Sequence, residues 1–270
     1  METKRLERII IITLALLNLF LLLVVLADRA QDRSFRQDTV DSLTALLEEA
    51  GVSVGPEAVL IQDCPAQCTV VRDRELEERR IQGLLGRHSS EDLGGSIWYY
   101  ASDTGQLRMR GTGEMDLLLT GGGIQRGHSQ DRAAKGLLSR AGIALYGPVG
   151  TEDGETLEYC CKWNEVPVYN AVLSFDFSNS RLYMVSGSIV FNLETENEPG
   201  AGMNSVSALV RFLELVRSGA VVCSRIETIS AGYVQNVALS GESVLTPVWC
   251  IATDGGSCYI NAVTGGPVSL

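Results

Sequence analysis

An uninterrupted apolar segment near the N-terminus constrains this chain more than any other feature. Ile9 to Ala27 forms 19 residues without a charge, dominated by isoleucine, leucine and valine. A helix of that length covers about 28 Å, close to the roughly 30 Å hydrocarbon core of a bilayer. A cleaved signal peptide usually has a shorter apolar region of about 7–15 residues, although Val25 and Ala27 fit the small-residue positions of a cleavage site. The segment therefore predicts an uncleaved transmembrane anchor, with cleavage as the alternative.

The orientation of this anchor follows from its position rather than from charge. Three basic residues precede the segment and three follow it closely, so the local balance of lysine and arginine does not decide the orientation. A short tail before one long apolar segment usually leaves the N-terminus in the cytoplasm. We therefore predict a single-pass protein of the cell membrane, with residues 1–30 as cytoplasmic tail and anchor and the C-terminal ectodomain outside the cytoplasm.

Two polar residues interrupt the apolar segment. Asn18 lies at its centre and Thr13 precedes it by a little more than one helical turn. A side-chain amide in hydrocarbon seeks a partner, and hydrogen bonds between transmembrane helices contribute about 0.5–2 kcal/mol. We therefore predict that Asn18 and Thr13 contact the helix of another membrane protein or a second copy. The alternative is an asparagine that an otherwise apolar helix tolerates.

The charge of the chain excludes one large class of partners. Its formal net charge is −11, and no cluster of lysine and arginine with interleaved aromatic residues is present in the sequence. An acidic protein is repelled by phosphate backbones, so nucleic-acid binding is not expected.

Beyond the anchor, three amphipathic helices are predicted, each ending before a glycine that suits the end of a helix. They cover residues 38–50, residues 129–141 with Ser129 as N-cap, and residues 203–218. Short alternating strands follow each helix, and glycine-rich segments between residues 111 and 127 suggest a boundary. The predicted fold class is α+β: a transmembrane helix followed by two small units, residues 31–125 and 126–270, each a helix on an antiparallel sheet.

Several local features of the strands are predicted in more detail. Asn164-Glu165 is expected to form a turn, and Pro247 is expected at an edge or a bulge because proline cannot donate to a ladder. Cys160 and Cys161 should point to opposite faces of their strand. Cys250 and Cys258 would face each other across a three-residue loop, whereas with a two-residue Asp254-Gly255 turn Cys250 would face Tyr259. The seven cysteines leave at least one thiol unpaired in a monomer.

The sequence lacks a recognisable catalytic or metal-binding constellation. Its two histidines, His88 and His128, both lie in predicted loops, with no paired-histidine motif or nucleophile-elbow serine around them. The glycine run at residues 121–127 lacks the lysine and the hydroxyl residue of a phosphate-binding loop, and the acidic run at residues 194–198 lacks calcium-ligand spacing. We therefore predict no enzymatic activity, no cofactor, and no catalytic, cofactor-binding or metal residues.

Three segments together resemble the YycH/YycI regulatory proteins. They are the apolar segment around residues 11–22, the stretch Pro167-Val168-Tyr169-Asn170, and the closing segments at residues 245–251 and 259–265. The arrangement of a helix followed by antiparallel strands is also similar to the PepSY module. The resemblance implies a non-enzymatic protein of a Gram-positive bacterium that regulates a two-component system. Its implied partner is a membrane histidine kinase or a paralogous regulator, contacted through transmembrane helices.

The predicted function is therefore that of a membrane-anchored extracytoplasmic regulatory or sensory protein. An alternative is a bitopic scaffold of an envelope assembly machine of the division or pilus type. A third hypothesis is an extracytoplasmic enzyme or a PepSY-type modulator of a protease, whose activity would depend on His88 or His128.

Overall fold

The computed structural model describes most of the chain beyond the predicted anchor. The described residues are 38–58, 61–120, 124–125, 129–148, 156–179, 181–190, 192–194, 202–237 and 242–270. Ile9–Ala27, with the predicted contact residues Asn18 and Thr13, lies outside them, as does His128.

Four helices are described, and local capping explains where they begin and end. Ser129 and Asn204 accept a hydrogen bond from the backbone N–H three residues later, as N-caps do. Gly51, Gly142 and Gly219 adopt the positive φ that suits the residue after a helix. The three predicted helices are thus confirmed, and one further helix was not predicted. The helices are α1 (described over residues 38–49), α2 (Arg74–Leu85), α3 (Gln130–Arg140) and α4 (Ser205–Arg217).

The described strands all belong to one hydrogen-bonded sheet. They are β1 (Ser53–Val54), β2 (Cys68–Arg72), β3 (Ser89–Gly94), β4 (Ile97–Ala101), β5 (Gly105–Arg110), β6 (Glu114–Leu119), β7 (Ile124–Gln125), β8 (Leu145–Tyr146), β9 (Thr156–Trp163), β10 (Val166–Ser178), β11 (Arg181–Ser188), β12 (Asn192–Glu194), β13 (Arg225–Val237), β14 (Glu242–Thr253), β15 (Gly256–Asn261) and β16 (Pro267–Val268).

The predicted fold class is wrong, because the strands do not form two small separate sheets. The main path through the sheet is β12-β2-β14-β13-β10-β11-β6-β5-β4-β3. Pairing between β6 and β11, and between β2 and β14, joins strands that are distant in the sequence. The sheet is also mixed, since β10 and β13 run parallel while most neighbours are antiparallel. Sequence periodicity indicates which face of a strand is buried, but it does not identify the neighbouring strand.

The predicted membrane localisation also requires correction. Within the residues that the structure describes, no helix is long and apolar enough to cross a membrane. The predicted anchor itself lies outside those residues. The assignments to the membrane, to a signal-anchor and to a single-pass topology therefore have no support in the described part of the chain.

The helices pack on one face of the sheet. On β14, Leu245 contacts the cluster that includes α2 and α3, whereas Trp249 and Ile251 contact the cluster that includes α1 and α4. These three residues are separated by even numbers of positions, so they share one face of the strand. Val248 and Cys250 point to the opposite face and join a smaller cluster without a helix. We call this opposite side the helix-free face.

The strand β10 connects the two ends of the sheet. It pairs with β9 along one edge, with β11 over its second half, and with β13 at Val168. A bulge between Val168 and Val172 interrupts the register with β9. Within it, the amide of Asn170 accepts a hydrogen bond from the backbone N–H of Gln235 and donates one to its carbonyl oxygen, both at 2.8 Å. This side chain thereby continues the ladder between β10 and β13 where the backbone of β10 bends away.

The predicted Asn164-Glu165 turn is confirmed, and of the two alternatives for the turn between β14 and β15 the two-residue turn is present. Asn164 and Glu165 both adopt positive φ in the turn between β9 and β10. Thr253 pairs with Gly256 across a two-residue turn, so Cys250 faces Tyr259 and not Cys258.

Pro247 differs from its prediction, because β14 is an interior strand and has no register shift at that position. On one side of β14, β2 pairs only as far as Leu245 and β15 begins at Val248. Pro247 therefore occupies the gap where one neighbouring strand ends and the next begins, and the missing N–H costs no ladder hydrogen bond there.

The contact between α2 and α3 requires a glycine in α2. A Cβ atom at Gly83 would lie 2.3 Å from the carbonyl oxygen of Arg140. We expect Gly83→Ala to lower the free energy of unfolding by about 1–3 kcal/mol, because the helices would have to separate. Gly136→Ala in α3 is the matched control: a Cβ there meets nothing within 4 Å, and alanine should stabilise the helix by about 0.5–1 kcal/mol. Denaturant unfolding followed by circular dichroism measures the free energy of unfolding of both variants. Equal changes in the two variants would contradict this helix packing.

Candidate functional site

The candidate site is a groove at the end of the sheet, between α2 and the hairpin formed by β3 and β4. Its volume is about 550 Å³. We call it the edge groove, and its lining residues are Arg74, Glu75, Glu77, Glu78, Arg79, Ser90, Trp98 and Tyr100.

The start of α2 positions most of these side chains. Asp73 is the N-cap, and its carboxylate accepts hydrogen bonds from the backbone N–H groups of Glu75 and Leu76 at 2.8 and 3.2 Å. Ile81 and Leu84 anchor the second half of the helix in the core. Because residues three and four apart share a helix face, Arg74, Glu77 and Glu78 are brought together at the groove. The first turn of α2 thus carries the polar lining, while its last turns fix the helix to the sheet.

A buried carboxylate forms part of the groove. Glu77 is only 1% exposed. The hydroxyl of Tyr100 donates to its carboxylate at 3.3 Å, and a guanidinium nitrogen of Arg74 lies 3.7 Å from it. Burial, and next the neighbouring charge of Glu77, raise the pKa of Tyr100 to about 12. Tyr100 therefore keeps its proton at neutral pH and remains a donor to the carboxylate.

An aromatic ring lies beside this carboxylate. The guanidinium of Arg74 lies 3.9 Å from the centre of the Trp98 ring, within the range of a cation–π interaction. The Arg74 side chain is half exposed. The groove therefore combines a buried negative charge with an aromatic face that already accommodates a cation.

His88 lies next to the groove but is fully engaged. Its Nδ1 lies 2.8 Å from the carbonyl oxygen of Gly86, and its Nε2 lies 2.8 Å from the carboxylate of Glu78. Its ring also packs edge-to-face against Tyr100 at 5.5 Å between centroids. Both ring nitrogens thus have partners, and the residue braces the connection from α2 to β3.

The strand β3 forms the open side of the site. It is the last strand of the main path, and within the described residues it pairs only with β4. All six of its residues are exposed, including Leu93 at 53%. Alternate backbone N–H and C=O groups of an edge strand point outward and can pair with another strand. Ser90 belongs both to β3 and to the groove lining, so the two features are continuous.

A second cluster of polar side chains surrounds Cys250 on the helix-free face. Burial raises the pKa of the Cys250 thiol, and hydrogen bonds with the hydroxyl groups of Tyr259, Ser257, Tyr169 and Ser230 oppose this shift in part. Cys160 points to the same face, whereas Cys161 joins the core on the other side, which confirms their predicted opposite orientation.

Burial disfavours the thiolate form at most of the cysteines. It raises the thiol pKa of Cys64, Cys160, Cys161, Cys223, Cys250 and Cys258. A protonated thiol is a weak nucleophile and a poor metal ligand. In the described part of the chain, no group of three or more histidine, cysteine, aspartate or glutamate side chains is arranged to hold a metal ion.

No family model matches this chain, and no curated protein matches it. Among solved structures, it is similar to the crystal structure of an uncharacterized protein from Eubacterium rectale ATCC 33656, with a TM-score of 0.46 and 10% sequence identity. The likeness covers 81% of this chain and 90% of that chain. Similarity at this level provides no basis for transferring a function.

The edge groove was not predicted from the sequence because α2, which forms one of its walls, was not predicted. The signal for this helix is present: Asp73 suits an N-cap, Glu75 and Glu77 suit a first turn, and Ile81 and Leu84 have helical spacing. The many charges of the segment make its apolar face narrow and hide this pattern. Of the two histidines singled out from the sequence, His88 lies next to the groove, in contact with Tyr100, and His128 lies outside the described residues.

The hydrogen bond from Tyr100 to Glu77 gives a direct test of the buried charge. We expect Tyr100→Phe to lower the free energy of unfolding by about 1–2 kcal/mol, because the buried carboxylate loses a donor. Tyr99→Phe is the matched control, since the Tyr99 hydroxyl makes no hydrogen bond to any other described residue. Thermal or denaturant unfolding of both variants measures the difference, and equal stabilities would argue against the hydrogen bond.

Proposed function

We propose that this protein is a non-catalytic regulatory protein that binds an extended segment of a partner protein along β3 and in the edge groove. The observation that carries this proposal is the exposed edge strand beside a groove that contains a buried charge.

Strand addition explains how such a site would work. An extended segment that pairs with a sheet edge gains affinity from main-chain hydrogen bonds, and pockets that take alternate side chains provide specificity. In this protein, β3 supplies the backbone groups and the edge groove supplies the pocket. The exposed side chain of Leu93 adds apolar contact area at the far end of the strand.

A non-catalytic role is supported by how the reactive side chains are used. Both nitrogens of His88 are engaged with neighbouring acceptors, and burial raises the pKa of most thiols. These groups stabilise the fold and are poorly placed to act on a substrate.

The proposed partner class comes from the resemblance to the YycH/YycI proteins. That resemblance implies a regulator of a two-component system, so we propose a sensor histidine kinase or a paralogous regulator as the partner. The contact proposed here uses the folded sheet and not a transmembrane helix.

Site-specific photocrosslinking in the native host tests this function. We place a photoreactive amino acid at Leu93 on β3, where it would lie beside the bound segment. Val222 is the control position, because it is 82% exposed and lies outside the edge groove and β3. We expect the Leu93 probe to capture a sensor kinase or a paralogous regulator, identified by mass spectrometry, and the Val222 probe not to capture it. Absence of such a protein at Leu93, or its equal capture at both positions, would overturn the proposal.

A further inference from the structure

We infer that the segment bound at β3 is basic, with a lysine or arginine at every second position, and that one of these cations enters the edge groove between Trp98 and Glu77. This inference rests on the proposed function and specifies its ligand.

The charge around the site favours a cationic segment. The groove and β3 together carry five acidic side chains, Glu75, Glu77, Glu78, Glu91 and Asp92, against two basic ones, Arg74 and Arg79. The whole chain has a formal net charge of −11, which adds to the attraction at longer range. Complementary potentials of this kind speed association and disfavour partners of the same sign.

The same charges exclude a second copy of this chain as the occupant. Pairing of two β3 strands would bring Glu91 and Asp92 of one copy close to the same residues of the other. Like charges on adjacent strands are destabilising, and charged edges are a common protection against self-association. A strand of opposite charge would meet no such repulsion.

The geometry of the groove fits a single cationic side chain. The Arg74 guanidinium now lies 3.9 Å from the Trp98 ring centre and 3.7 Å from the carboxylate of Glu77. An incoming lysine or arginine would make the same two contacts. Because the Arg74 side chain is half exposed, it can turn into solvent when the incoming cation takes its place.

Strand periodicity sets the spacing of the cations. Successive side chains of a strand point to opposite faces, so residues i, i+2 and i+4 of the bound segment share the groove side. One of them would enter the groove, and a second would lie near Asp92, whose ladder partner Trp98 lines the groove. Glu91 points to the opposite face and adds negative charge to the same edge. The ligand is thus expected to alternate basic and apolar residues.

Peptide binding to the full chain tests this inference. The probes are fluorescein-labelled ten-residue peptides of alternating lysine and valine, their glutamate–valine counterpart, and a lysine–valine peptide with N-methyl groups along one backbone edge. Fluorescence anisotropy gives the dissociation constants. We expect the glutamate–valine and the N-methylated peptides to bind at least about tenfold more weakly than the lysine–valine peptide, because charge and ladder hydrogen bonds are both required.

Protein variants locate the binding. The surface variant Glu91→Lys/Asp92→Lys should weaken lysine–valine binding by about tenfold or more. Its matched control, Glu227→Lys/Glu242→Lys, makes the same charge change at exposed residues on β13 and β14. This control should change the dissociation constant of the lysine–valine peptide by less than about threefold. Trp98→Leu should weaken binding by about two- to fivefold through loss of the cation–π contact.

Each other outcome would overturn the inference. Equal binding of the lysine and glutamate peptides would exclude charge recognition, equal binding of the N-methylated peptide would exclude strand pairing, and equal effects of the two charge variants would place the binding elsewhere. Crosslinking at Leu93 does not depend on ligand charge. Capture of a kinase there through an acidic segment would therefore leave the proposed function intact and overturn only this inference.

Discussion

The pairing of β10 with three neighbours is the constraint on which the rest of the structure depends. Without it, the antiparallel strands β11, β6, β5, β4 and β3 would have no connection to β13 and β14. The strand β10 carries a bulge in its register with β9, and its backbone pairs with β13 at Val168. Just beyond that pair, the amide of Asn170 adds two hydrogen bonds to the backbone of Gln235 on β13. The ring of Tyr169 packs closely over Gly232, where a Cβ would lie 2.2 Å from a ring carbon. The backbone pair at Val168, the side chain of Asn170 and the close approach at Gly232 thus together join the two parts of the sheet.

The candidate site is a consequence of where this sheet stops. From β10 outward, each strand is covered by the next until β3, whose outer edge has no strand neighbour in the described residues. The helix α2 packs against this end of the sheet and buries Ile81 and Leu85, but its first turn projects towards β4. The helix α2 and the strand β3 follow each other closely in the chain, and both lie at this end of the sheet. The buried carboxylate of Glu77 and the edge strand are therefore neighbours.

The sequence predicted local structure well and the arrangement of the sheet poorly. Amphipathic spacing and the glycine after each segment identified α1, α3 and α4, and the Asn164-Glu165 turn follows from its residue types. The pairing of β6 with β11 was not predictable in this way, because ladder partners distant in sequence leave no periodic signal. The groove depends on α2, whose charged surface obscured its helical spacing. Glu77 in particular looks like an ordinary surface residue in the sequence, and only the packing of Tyr100 and Arg74 around it reveals its burial.

Hydrogen–deuterium exchange of the full chain, with and without the captured partner, tests the central claim most directly. If the partner adds a strand to the sheet, amide exchange within residues 89–94 should slow by at least about tenfold on binding, because outward N–H groups become hydrogen-bonded. Exchange within residues 220–224, remote from the groove, should not change. Protection confined to the helix-free face, with no change in β3, would contradict the account.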